Sequence, residues 1–141
     1  MPTRNASAIW TGDLKSGNGI FKGSSGKLEG TYSFGTRFEN AAGTNPEELI
    51  GAAHAACFSM ALAAGLGKNG FNPQSVSTTA AVTIDKVGDG FKITKIKLTT
   101  QAKVPGADAQ KFQEIANATK TGCPVSGALA AVPIELDAKL I

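Results

Sequence analysis

Two cysteines and a single histidine carry most of the reactive chemistry available to this chain. Cys57 lies in the middle of a small-residue run, GAAHAACFSMALAAGLG, and Cys123 lies between Gly122 and Pro124. A cysteine in apolar surroundings is by default an inert small hydrophobe. Cys123 has the better claim from position alone. A proline directly after it marks the first residue of a helix, and a sulfur at that positive helix end has its thiol pKa lowered. On that ground Cys123 would be the nucleophile, and Cys57 would need positive charge from another source. His54 is one turn before Cys57 on the same helical face, and a Cys–His pair is one way to make a thiolate. The plainer reading of His54 is a hydrogen-bonded core or interface histidine. Arg37 gains meaning only if it partners both a thiolate and Glu47. Glu47 and Glu48 are already explained as negative charge at the start of a helix.

Other chemistries are disfavoured. There is no G-x-x-x-x-G-K-[ST], H-E-x-x-H or G-x-S-x-G. One histidine cannot build the usual multi-histidine metal site, and there is no C-x-x-C. The net charge is +3, with the lysines scattered and no basic run interleaved with aromatics, which argues against nucleic acid as a partner. The opening MPTRNASAIW has no apolar h-region, so a cytoplasmic location is expected. In that reducing compartment two lone cysteines are either core residues or a catalytic pair.

The element that must position these groups runs from Thr44 to Gly70 and reads as one long helix. Asn45 is its N-cap, Pro46 its first residue, and Glu48 lies in capping-box register. Gly65, Gly67 and Gly70, with Lys68 in the last turn, end it. Between Leu49 and Leu66 it carries no formal charge. That pattern predicts a helix buried on every side, packed closely by other backbones, a second copy of the chain among them. The run is near membrane-spanning length. His54, Ser59 and the prevalence of Ala and Gly favour a soluble core helix instead.

Around it, residues 6–12, 18–22 and 27–33 read as strands, with Gly17-Asn18-Gly19 as a turn signal. Arg37 falls on a strand edge. Ser75 to Val87 alternates, Gly88-Asp89-Gly90 turns, and Phe91 to Val104 returns. The apolar phase steps by three between Ile93 and Ile96, which predicts a bulge near Thr94-Lys95. Asp108 opens a second helix with Phe112, Ile115, Ala116 and Thr119 on one stripe, ended by Gly122. Cys123 caps a short third helix, and residues 132–141 alternate as a last strand. Strands come in blocks, so the expected fold is α+β, a largely antiparallel sheet packed on the long helix and a second helix, in one domain spanning 1–141.

TRFENAAGTNPEELIGAAHAACFSMAL (Thr36 to Leu62) and TGCPVS (Thr121 to Ser126) closely resemble the OsmC/Ohr family of thiol peroxidases. The likeness extends to the W-x-G-D start (Trp10 to Asp13) and the TTAAVTIDKVGDGFKITKI hairpin, over essentially the whole chain. The resemblance implies the OsmC-like fold and an intertwined homodimer with its sites at the subunit interface. It implies a reductase of organic hydroperoxides, weaker on hydrogen peroxide, serving oxidative and osmotic stress defence without metal, haem or other cofactor. Position by position, it implies Cys57 as the peroxidatic cysteine, Cys123 as the resolving one, and Arg37 and Glu47 as the pair that holds the thiolate. It also implies a dithiol reductant, with a lipoyl group the family's candidate, and neither nucleic acid nor membrane as partner. Rival readings on the same fold are a redox-sensing or small-molecule-binding protein without turnover, and a structural dimer with inert cysteines.

One expectation goes beyond the motif. Glu47 and Cys57 are ten residues apart on one helix, so roughly 15 Å along its axis, and their directions differ by about 80°. One arginine cannot readily bond both if the helix is straight. Each site is therefore expected to combine Cys57 and Cys123 of one chain with Glu47 and Arg37 of the other.

Overall fold

The computed structural model describes all residues, Met1–Ile141, in two compact units, Met1–Leu49 and Ile50–Ile141. The first unit opens with an antiparallel meander of β1 (Ala6–Thr11), β2 (Asn18–Gly23) and β3 (Glu29–Tyr32). The turn between β1 and β2 lies at residues 14–16, earlier than the glycines suggest, because the Asp13 carboxylate accepts a hydrogen bond from the Ser16 N–H at 2.7 Å. Gly19 is instead inside β2, opposite both Trp10 and Tyr32. A side chain there would collide with both rings, so the glycine lets Trp10 and Tyr32 meet with centroids 5.5 Å apart.

The segment expected to be a strand edge is a short helix, α1 (Phe34–Phe38). Ser33 caps it through a reciprocal capping box with Thr36, at 2.9 and 3.2 Å, in place of the usual Glu or Gln partner. Arg37 thus sits in the last turn of a helix, where a cation is favoured.

The long helix forms as expected: α2 (Pro46–Lys68) is 23 residues without a break. Asn45 accepts from the Glu48 N–H at 2.8 Å. The Glu48 side chain does not complete a capping box; it accepts from the Thr44 hydroxyl at 2.9 Å. Beyond Lys68, Gly70 takes φ of 83°, and the N–H groups of Gly70 and Phe71 return to the carbonyls of Gly67 and Leu66. That is a Schellman ending, which a glycine makes without strain.

In the second unit, β4 (Ser75–Val87) and β5 (Gly90–Lys103) form a long antiparallel hairpin. Thr83 opposes Lys95 while Ile84 opposes Ile93, so Thr94 is the extra residue of a bulge at the expected place. The Thr94 hydroxyl bonds the Asp85 carboxylate. α3 (Ala109–Gly122), capped by Asp108, buries Phe112, Ile115, Ala116 and Thr119, and α4 (Pro124–Ala128) follows it. β6 (Ile134–Leu140) then pairs parallel to β5, so this three-stranded sheet is mixed. The parallel pairing is possible because α3 and α4 supply the long crossover it requires.

The core of this unit is Phe58, Leu62 and Leu66 of α2, Ile96, Leu98 and Ala102 of β5, and Phe112 and Ile115 of α3. Gly51 and Gly65 let α2 come close: a Cβ at Gly51 would stand 3.2 Å from the Ala80 carbonyl, and one at Gly65 would stand 3.0 Å from Ile115. Hydroxyls also tie α2 to the sheet, with Ser59 donating to Thr78 at 2.8 Å and Thr78 bonded to the buried Thr100 at 2.9 Å. By length and apolar composition α2 could cross a membrane, with a mean hydropathy of 1.7. Its inner stripe, Gly51, His54, Phe58, Leu62 and Leu66, is buried in protein as in a core helix. The opposite side is not buried in one chain: Ala52, Ala53, Ala56, Met60 and Ala64 are exposed. The expectation of burial on every side is therefore met on one face only.

Candidate active site

The structure gathers the four expected residues as two pairs. The first pair is Arg37 and Glu47. The Arg37 Nε donates to both Glu47 oxygens at 3.1 and 3.3 Å, and Nη2 donates to Oε1 at 2.8 Å, a forked ion pair of the kind only arginine makes. Glu47 is buried and Arg37 borders on exposed. The turn between α1 and α2 sets this geometry. Both ends of the Asn45 amide work there: Oδ1 caps α2, and Nδ2 donates to the Thr36 carbonyl at 3.0 Å. The cap was legible in the sequence, but its second bond, which fixes α1 against α2, was not.

Arg37 also lines an open cavity of about 440 Å³ in the first unit, walled by Trp10, Tyr32, Phe34 and Phe38. It is a largely apolar, aromatic pocket with one guanidinium at its edge.

The second pair is Cys57 and Cys123, both free thiols, with sulfurs 2.9 Å apart. Cys57 comes from the middle of α2. Cys123 stands at the cap of α4, where the Pro124 that follows it starts the helix. The two differ in access: Cys57 is partly exposed, and Cys123 is fully buried. They differ in acidity too. Burial pushes the Cys57 thiol up, and its bond to Cys123 adds to this. Burial also acts to raise Cys123, but hydrogen bonds from Cys57, from the N–H and hydroxyl of Ser126 and from the Val125 N–H outweigh it and bring Cys123 down. α4 is only five residues long, so local N–H groups rather than a macrodipole favour the Cys123 thiolate.

His54 makes no hydrogen bond to Cys57. It is fully buried, its Nε2 is 2.7 Å from the Ser126 hydroxyl, and burial holds its pKa below the ordinary histidine value. This is the hydrogen-bonded core histidine of the plainer reading. Ser126 was not singled out from the sequence, since a serine 72 positions from its partner gives no local signal. No cluster of His, Cys, Asp and Glu here could hold a metal ion.

Two thiols in contact, one reachable and one buried, can attack an electrophile and then close a disulfide. Known proteins are similar to this chain in sequence and in fold. Residues 39–137 match the family model described as OsmC-like protein. The chain is 54% identical over 138 residues to peroxiredoxin OsmC of Escherichia coli strain K12, covering 97% of this chain and 96% of that one. It is 33% identical over 103 residues to the organic hydroperoxide resistance protein OhrB of Bacillus subtilis, covering 72% and 74%. The crystal structure of an organic hydroperoxide resistance protein from Elizabethkingia anophelis superposes with a TM-score of 0.72 at 26% identity, covering 99% and 96%.

Proposed function

The chain belongs to the OsmC family, and from that premise we propose that it reduces organic hydroperoxides by cysteine chemistry, with Cys57 attacking and Cys123 resolving. The observation that carries this reading is the contact between a reachable thiol and a buried one at 2.9 Å. A hydroperoxide must reach the first sulfur, which favours Cys57; the resolving sulfur needs only to reach Cys57. The Cys57 thiolate attacks the distal peroxide oxygen. The O–O bond breaks, the alkoxide leaves and takes a proton as the alcohol, and Cys57 becomes a sulfenic acid. The Cys123 sulfur then attacks the Cys57 sulfur, the S–S bond forms, and hydroxide departs as water with the thiol proton of Cys123. A dithiol, a lipoyl group being the candidate, reduces the disulfide by two exchange steps.

The acidity order within one chain is the wrong one for this mechanism, so Cys57 requires an external cation. We assign that role to Arg37 of a second copy, oriented by its own Glu47. Two features support a two-chain site. α2 is unbroken, so the ten-residue spacing between Glu47 and Cys57 keeps its full length along the helix. And apolar surface is left open for a partner: Met60 on α2 is 76% exposed, and the cross-strand neighbours Ile9 and Ile20 are 71% and 56% exposed. The aromatic cavity beside Arg37 would then receive the organic part of the substrate, favouring alkyl and aryl hydroperoxides over hydrogen peroxide. We further propose a cytoplasmic site of action, where free thiols persist.

The test is a peroxidase assay on wild type, Cys57→Ser and Cys123→Ser, with cumene hydroperoxide or hydrogen peroxide as oxidant and dihydrolipoamide or dithiothreitol as reductant. The expected result is no turnover in Cys57→Ser and a single turnover followed by over-oxidation in Cys123→Ser. Activity that survives Cys57→Ser but not Cys123→Ser would reverse the two roles. A wild type that oxidises once without turning over would be a redox sensor instead.

A further inference from the structure

His54 and Cys57 are one turn apart on α2, and Cys123 and Ser126 stand at the same three-residue spacing at the start of α4. The two helices are therefore joined by two neighbouring rungs. One is the sulfur contact at 2.9 Å, and the other is His54 Nε2 to Ser126 Oγ at 2.7 Å. The second rung is buried: His54 is fully buried and Ser126 is 2% exposed. The His54 Nδ1 has no hydrogen-bond partner. A buried N–H without an acceptor is rarer than an idle lone pair, which assigns the histidine proton to Nε2. The Nε2–H then donates to the Ser126 oxygen, leaving the serine hydrogen to turn toward the Cys123 sulfur.

The reaction as derived uses neither residue. Yet the closing step makes a geometric demand. The sulfurs must move from 2.9 Å to about 2.05 Å. The helix that carries Cys123 is one turn long and has no side-chain cap, so it cannot hold itself in place. We infer that the His54–Ser126 hydrogen bond is a positioning rung, which holds α4 against α2 and keeps Cys123 in line with Cys57 for disulfide formation. This rests on the reading of the two thiols as a redox pair. The step it serves is the attack of the Cys123 sulfur on the sulfenic acid of Cys57, with water as the leaving product. The Ser126 hydroxyl also favours the Cys123 thiolate that makes this attack.

The experiment compares wild type with Ser126→Ala, Ser126→Thr, His54→Leu and His54→Gln, each reduced and full length. Rapid mixing with one equivalent of cumene hydroperoxide gives the burst of cumyl alcohol, and quenched alkylation of Cys123 gives the closure rate. Equilibration in dithiothreitol redox buffers, with no peroxide, gives the disulfide potential. In Ser126→Ala and His54→Leu the burst should keep its rate while closure slows about tenfold, the scale of one buried hydrogen bond. Over-oxidation of Cys57 should rise accordingly. A tenfold loss of effective concentration also makes the disulfide about 30 mV easier to reduce. Ser126→Thr restores the hydroxyl and His54→Gln restores a donor, so each should recover most of the loss. Closure and potential within twofold of wild type in both truncations would overturn the rung, as would a burst that slows in step with closure. A wild type with no burst would sink the peroxidase reading, while the potentials would still decide the rung.

Discussion

Arg37 shows how little a residue's type says until its partner is known. As a surface arginine it is unremarkable; forked onto the buried Glu47, it becomes a fixed cation. Arg37→Ala should cost about 1–3 kcal/mol, because Glu47 keeps its burial and loses its counter-charge. Glu47→Gln in the same chain should recover part of that loss, a coupling that urea unfolding of the four combinations would measure. Arg37→Ala should also slow the reaction of Cys57 with cumene hydroperoxide by about ten- to a hundredfold, the scale of one hydrogen bond to a charged group. His54 makes a prediction in pH. Its folded pKa lies below the ordinary value, so the unfolded chain takes up its proton first, near pH 6.5. The unfolded state then binds more protons, and the contribution of His54 is complete above that pH and fades as pH falls below it. Melting curves should show this acid-side slope flattened in His54→Gln.

Which elements were readable follows from where their signals lie. The Asn45 cap, the Thr94 bulge, the Asp108 cap and the Cys123-Pro124 start are all written within four residues, and all four appear. α1 was not readable, since its Ser33–Thr36 box replaces the familiar glutamate with a threonine. The strand-to-helix difference there moved Arg37 from an edge to a helix end. The parallel seating of β6 was hidden for another reason: strand periodicity gives a face but not a direction. At the active site, both cysteines and the Arg37–Glu47 pair came from the resemblance, and the helix-end argument for Cys123 agrees with its lowered pKa. Position alone favours Cys123, whereas the proposed attacker is Cys57, because access to substrate is not local information. At this scale Gly51 is the sensitive point. Gly51→Val would drive a side chain toward the Ala80 carbonyl, which cannot rotate away, and should cost about 1–3 kcal/mol in thermal or urea unfolding.

For the whole molecule the question is what covers the outer side of α2 and the Ile9–Ile20 face. A second copy predicts complementation. Cys57→Ser should be inactive alone, and Arg37→Ala should keep about a tenth of wild-type activity or less. Co-expressed, half of the dimers are mixed, and one of their two sites draws Cys57 from one chain and Arg37 from the other. Activity should return to about a quarter of wild type. Sites complete within one chain would give no recovery.

The separation of the two thiols along the chain has one more consequence. Cys57 and Cys123 are 66 residues apart, and a bond between them would tie β4, β5 and α3 into a single closed loop. A cross-link over that length restricts the unfolded chain by about 4 kcal/mol. The oxidised enzyme, waiting for its reductant, would then be the form most resistant to heat and to proteases. Starved of dithiol, cells would accumulate spent enzyme rather than lose it, a reserve that a returning reductant could revive at once. Melting temperature and trypsin half-life, each measured before and after one equivalent of hydroperoxide, should both rise on oxidation.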